Sequence, residues 1–158
     1  MAGLFWCLFG GSSLSSGDHT VAFALAKDYG YVILVAVISS FLLMWQAIQV
    51  GNARKQYKVN YPTMYSADND TFNCYQRAHQ NTLEGYSQFL LLLLFGGLDM
   101  PIFAAIGGLI WVAGKVSYSK GYYTGDPNNR IRGIYAYIGL LMLLVATVKL
   151  SLKLVLFS

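Results

Sequence analysis

Apolar positions come in four blocks, separated by three short polar connections. Tyr29 to Ala53 carries no charge and is rich in Val, Ile, Leu and Phe. At about 1.5 Å per residue it is long enough to cross a hydrocarbon core of roughly 30 Å. The block ends at Gly51-Asn52 and the basic residues Arg54, Lys55 and Lys58, after which Asn60-Tyr61-Pro62 and Ala67 to Asp70 mark a polar connection. A second helix is expected over Phe72 to Leu98, and its halves differ. Its C-terminal half is the run Phe89 to Phe95, whereas its first turns carry Arg77, Asn81 and Glu84, leaving only 14 uncharged residues between Glu84 and Asp99. Asp99-Met100-Pro101 reads as a tight turn into a third helix reaching about Tyr123, because proline is tolerated at a first helical position. Ala113, Ser117 and Gly121 recur every fourth position along it, a spacing that lets membrane helices approach closely. Gly125 to Asn129 forms the third connection, and a fourth apolar segment starts at Ile134. Lys149 and Lys153 near its end are expected to lay their stems along lipid and lift their ammonium groups to the interface.

Composition agrees with an all-α integral membrane four-helix bundle. The chain is 56% hydrophobic and only 11% charged over 158 residues, against about 25% charged in soluble domains. The net charge of +4 does not imply nucleic acid, because the basic residues are dispersed among apolar segments. Those flanking the first and third connections place both on the cytoplasmic side, with the second connection and both termini opposite. Residues 1–23, with a Gly/Ser-rich stretch, read as a flexible extension ahead of a four-span domain over 24–158. Two cysteines, Cys7 and Cys74, define neither a disulfide framework nor a metal site.

Arg77, Asn81 and Glu84 stand at i, i+4 and i+7, on one stripe of one helix. Ionisable groups in a membrane helix cost about 2.5–3.5 kcal/mol each at mid-bilayer, so they face a partner, a cavity or a ligand. Lys115, Tyr118 and Tyr122 form a similar stripe on the third helix, with Arg130 just beyond its end. Both stripes fall in the cytoplasmic half, where acidic and basic groups together suit a small zwitterionic ligand. A structural ion-pair seam between helices is the alternative reading of the same residues. His79 points about 200° away from Arg77, which by geometry alone favours packing or an interhelical hydrogen bond.

Four motifs in order, ARKQYKV at 53–59, YPTMYS at 61–66, FNCYQRAHQNTLE at 72–84 and YSKGYYTGDP at 118–127, resemble the membrane-associated proteins in eicosanoid and glutathione metabolism, the MAPEG family, and within it most nearly the type-three branch of microsomal glutathione transferases. The resemblance covers about residues 24 to 150. It implies a four-helix protomer, a homotrimer, and a glutathione site between protomers, open to the cytosol. It also implies an enzyme that conjugates lipid electrophiles such as leukotriene-type epoxides, or reduces lipid hydroperoxides, using glutathione as co-substrate and no metal. Carried over by motif position, Arg54, Arg77, His79, Asn81, Glu84, Lys115, Tyr118 and Tyr122 surround glutathione. Arg130 matches the thiolate-stabilising arginine, with Arg132 as the alternative one loop register away. Lys55 stands as a candidate acid for an epoxide's leaving oxygen. Lys115 occupies a position where many relatives have arginine, and Gly85 one where the leukotriene synthase branch has tyrosine. The noncatalytic lipid-presenting branch of the family is the competing class. The endoplasmic reticulum is the membrane implied, with the mitochondrial outer membrane as the alternative.

Overall fold

The computed structural model describes residues 25–156; the N-terminal extension expected over 1–23, and Cys7 with it, lies outside them. Among the described residues every regular element is helical: α1 (Tyr29–Tyr57), α2 (Asp70–Asp99), α3 (Pro101–Tyr122), a 3-10 segment over Pro127–Gly133, and α4 (Ala136–Leu156). Helices α1, α3 and α4 are long and apolar enough to cross a membrane. Helix α2 is the longest, but its polar first half dilutes it, and it packs against all three others.

Local chemistry explains the boundaries. Lys58 takes a left-handed conformation (φ 56°) and ends α1, with Val59 N–H closing onto the Arg54 carbonyl at 3.0 Å. Asn69 caps α2 by accepting from the Phe72 amide at 2.8 Å. Met100 alone separates α2 from α3, and Pro101 occupies the first turn of α3. The third connection is more ordered than a simple turn. Asp126 accepts from the Asn128 amide at 2.9 Å and starts the 3-10 segment, which delays α4 to Ala136.

Val32, Val35, Phe89, Leu93, Ala104, Trp111 and Leu143 form the core, with the Phe89 and Trp111 rings stacked at 3.8 Å. The close approach of α3 and α4 depends on Gly139. A methyl group there would collide with the Gly107 carbonyl oxygen and lie 2.7 Å from the Trp111 nitrogen, both backbone atoms. Gly139→Ala is therefore expected to lower stability by about 1–3 kcal/mol, read as a lower midpoint of thermal unfolding in detergent.

Two sequence expectations change. The stripe Ala113, Ser117 and Gly121 receives the third connection, not another long helix. Gly121 backs onto Asn129, Ser117 Oγ and Tyr135 Oη are 2.6 Å apart, and Tyr135 donates to the Ala113 carbonyl at 2.9 Å. Lys149 and Lys153 do not simply snorkel. Their ammonium groups reach Asp99 at 3.0 and 2.7 Å and tie the α2–α3 turn to the end of α4. A buried carboxylate at that turn attracts them more strongly than the open interface does.

Candidate functional site

The end of the bundle that carries the first and third connections gathers the polar side chains. Register is set from inside by Gln46 of α1, fully buried, whose Nε2 donates to Thr82 Oγ1 at 3.0 Å and to Ser119 Oγ at 2.7 Å. Thr82 and Ser119 directly follow Asn81 and Tyr118 in the chain, so this one amide fixes how the polar faces of α2 and α3 meet. Leaving such a buried polar group unpaired costs about 1–3 kcal/mol, which makes the register specific.

On the outer side of that register lies a cleft of about 450 Å³ between α2, α3, the 3-10 segment and α4. Asn81 and Glu84 line it from α2, Lys115 and Tyr118 from α3, and Arg130 from the 3-10 segment. Lys115 Nζ donates to Asn81 Oδ1 at 2.9 Å and sits 5.1 Å from the Tyr118 ring centroid, so the ammonium is held between an amide and an aromatic face. Glu84 accepts from Arg77 at 2.9 Å, both side chains being nearly half exposed. Arg130 donates to Tyr122 Oη at 3.5 Å, and Tyr122 in turn meets Tyr118 edge to face at 5.1 Å. The hydrogen bond to Tyr122 pushes the guanidinium of Arg130 above its usual, already high value, so it is a fixed cation.

Five of the residues singled out in the sequence thus share one cleft. Two more stand directly behind it: Arg77 and Tyr122 line a neighbouring cavity of about 390 Å³ with Tyr65, Asn73 and Cys74. The others do not join them within one chain. Arg54 is buried in the first connection, donating to the Thr63 carbonyl at 2.8 Å with its guanidinium 4.4 Å from the Tyr61 ring. Lys55 is exposed on the last turn of α1, His79 is half-buried and lines neither cavity, and Arg132 is exposed outside both. Arg54 and Lys55 belong to the last turn of α1, and no residue of α1 lines the cleft.

Sequence reasoning missed Gln46, Gln88, Trp111, Tyr137 and Leu140. The signal for two of them was present, since Gln88 follows Glu84 and Trp111 precedes Lys115 by one turn on the same faces. Nothing in the sequence distinguishes Gln46 from its neighbour Gln49.

Among the described residues, an all-helical architecture with three span-length apolar helices, carrying a cation- and carboxylate-lined cleft at one end, defines an integral membrane protein with a built polar site. The MAPEG family model matches residues 32–152, and the chain belongs to that family. It is 33% identical to human microsomal glutathione S-transferase 2 over 111 residues, covering 70% of this chain and 74% of that protein. The mouse protein of the same name is 31% identical over 121 residues, covering 76% and 80%. An uncharacterised protein of Synechocystis is 36% identical over 91 residues, 57% of this chain and 65% of that protein.

Proposed function

We propose that this chain is a membrane-bound glutathione transferase with glutathione peroxidase activity toward lipid electrophiles. The observation that carries this reading is the meeting of Asn81, Glu84, Lys115, Tyr118 and Arg130 in one cleft of about 450 Å³, within the roughly 300–1,000 Å³ usual for small-ligand sites. Glutathione carries an amino group, two carboxylates and a thiol. Glu84 accepts the ammonium, Lys115 and Arg77 hold carboxylates, and Arg130 stands beside the sulfur.

The working unit is a homotrimer of four-span protomers in the endoplasmic reticulum membrane, its domain spanning 24–158. Arg54, Lys55 and His79 then serve the site of an adjacent copy, which accounts for their distance from the cleft of their own chain. In conjugation the thiolate forms a bond to an epoxide carbon, the carbon–oxygen bond breaks, and Lys55 protonates the alkoxide. In peroxide reduction the thiolate attacks the terminal hydroperoxide oxygen and the oxygen–oxygen bond breaks. The alkoxide takes a proton from solvent and leaves as the alcohol, and glutathione becomes a sulfenic acid. A second glutathione thiol attacks that sulfur, giving the disulfide and water.

Purified protein in detergent is expected to consume glutathione with a lipid hydroperoxide or a fatty epoxide, and to give heat on titration with glutathione. A protein that binds arachidonate but neither binds nor consumes glutathione belongs to the lipid-presenting class, and the enzyme reading fails.

A further inference from the structure

Connections between helices are ordinarily the loosest parts of a bundle, yet the one after α1 is pinned on both sides of Met64-Tyr65. On one side the buried Arg54 donates to the Thr63 carbonyl at 2.8 Å, its guanidinium lying 4.4 Å from the Tyr61 ring and 5.1 Å from the Phe72 ring. On the other, Asn73 clasps Ser66 in both directions: Oδ1 accepts from the Ser66 amide and Nδ2 donates to the Ser66 carbonyl, each at 2.8 Å. Arg54 belongs to the last turn of α1 and Asn73 to the start of α2. Two residues held between fixed neighbours keep little freedom, so the helices set the place of Tyr65. It lines the cavity of about 390 Å³ together with Arg77, and its hydroxyl stands within hydrogen-bonding reach of the Arg77 guanidinium.

Arg77 needs such a second holder. A guanidinium carries five N–H donors, and this side chain is 43% exposed, so its pairing with Glu84 at 2.9 Å is screened by solvent and opposed by rotamer entropy. In the glutathione reading Glu84 also takes the ligand ammonium, so ligand and arginine compete for one carboxylate. Asp70 lines the same cavity but stands seven residues before Arg77 on α2, about 10 Å along the axis. Tyr65 comes from outside the helix and holds the guanidinium independently of Glu84.

We propose that Tyr65 is a positioning residue of the glutathione site: its hydroxyl accepts a hydrogen bond from Arg77 and keeps the guanidinium aimed at a ligand carboxylate while Glu84 binds the ammonium. The role rests on the glutathione-transferase reading and adds a specificity element to it. The pair of holders lets both charges of a zwitterion be met at once.

The test compares Tyr65→Phe, which removes one hydroxyl and keeps the ring, with wild type by calorimetric titration and steady-state kinetics. Thermal unfolding is followed alongside, and the change is repeated in an Arg77→Ala background. Tyr65→Phe is expected to weaken glutathione binding and raise its KM about threefold to tenfold, the range for one lost hydrogen bond. The kcat at saturating glutathione and the unfolding midpoint stay unchanged. Without Arg77 the substitution is expected to have no further effect, because the two residues act as one unit. N-acetylglutathione is expected to lose less than about twofold, since with no ammonium to compete Glu84 keeps its hold on Arg77. The role is overturned if Tyr65→Phe leaves the KM for glutathione unchanged or lowers kcat instead. It is also overturned if the loss persists in the Arg77→Ala background, which would place Tyr65 on the ligand itself, or if both peptides lose equally. Wild type that neither binds nor consumes glutathione sinks the functional reading together with the role; an active wild type with an insensitive Tyr65→Phe sinks the role alone.

Discussion

Replacing Arg130 by alanine is expected to slow conjugation at pH 7 about tenfold to thirtyfold while leaving the affinity for glutathione within a few-fold. A free cysteine-type thiol has a pKa near 8.5, so only about 3% is thiolate at pH 7. Full ionisation by a neighbouring cation therefore gains at most about thirtyfold, and the lower basicity of the thiolate removes part of that gain. The guanidinium lines the cleft from the 3-10 segment, is braced by Tyr122, and stays charged at every relevant pH, as the proposed role requires. The sign of the pH dependence follows. Wild-type rate is expected to be nearly flat from pH 7 upward, since in the proposed site its sulfur is already ionised. The alanine variant gains rate with rising pH and approaches wild type above about pH 9, where the thiol ionises unaided. Arg130→Lys keeps the charge and recovers part of the rate. A variant with a uniform deficit at all pH values would show that Arg130 orients the ligand and does not ionise it.

Glu84→Gln is expected to weaken glutathione binding about tenfold. Losing a charge-assisted contact costs more in a closed site, but the Glu84 side chain is 46% exposed and solvent screens it. The variant also releases Arg77 from its ion pair with Glu84, which offsets part of the loss by strengthening the contact of Arg77 with the ligand carboxylate. N-acetylglutathione, which lacks the ammonium, separates these effects in calorimetric titration. Wild type binds it about as weakly as the variant binds glutathione, and Glu84→Gln does not weaken it further. Equal losses for both peptides would remove the amino-group contact from Glu84.

The stripes of α2 and α3 were legible because helical pitch alone decides which side chains share a face. Asn81 and Glu84 of one stripe and Lys115 and Tyr118 of the other line the cleft, while Arg77 and Tyr122 line the neighbouring cavity. The pairing of those faces was not legible. It depends on Gln46 reaching Thr82 and Ser119 across three helices, and long-range contacts of this kind leave no periodic trace. Arg130 reaches α3 through a 3-10 segment read in sequence as a plain turn, and the small residues expected between helices are what let that segment lie flat against α3. Neither the 3-10 segment nor its docking was read from the sequence, which showed only a connection over Gly125 to Asn129. The lysines of α4 were read from their own helix alone, and the buried Asp99 that holds them comes from 50 residues or more away. Arg54 illustrates the opposite limit: its motif is specific, yet within one chain its guanidinium is engaged by Thr63, Tyr61 and Phe72.

The most direct test of the cleft as a thiolate site is a pH titration of the ultraviolet thiolate absorbance of glutathione bound to the wild-type protein in detergent. The charge arrangement predicts a midpoint about two units below the value near 8.5 of a free thiol. A bound thiol that titrates at the free value, or a protein that binds no glutathione, would contradict it.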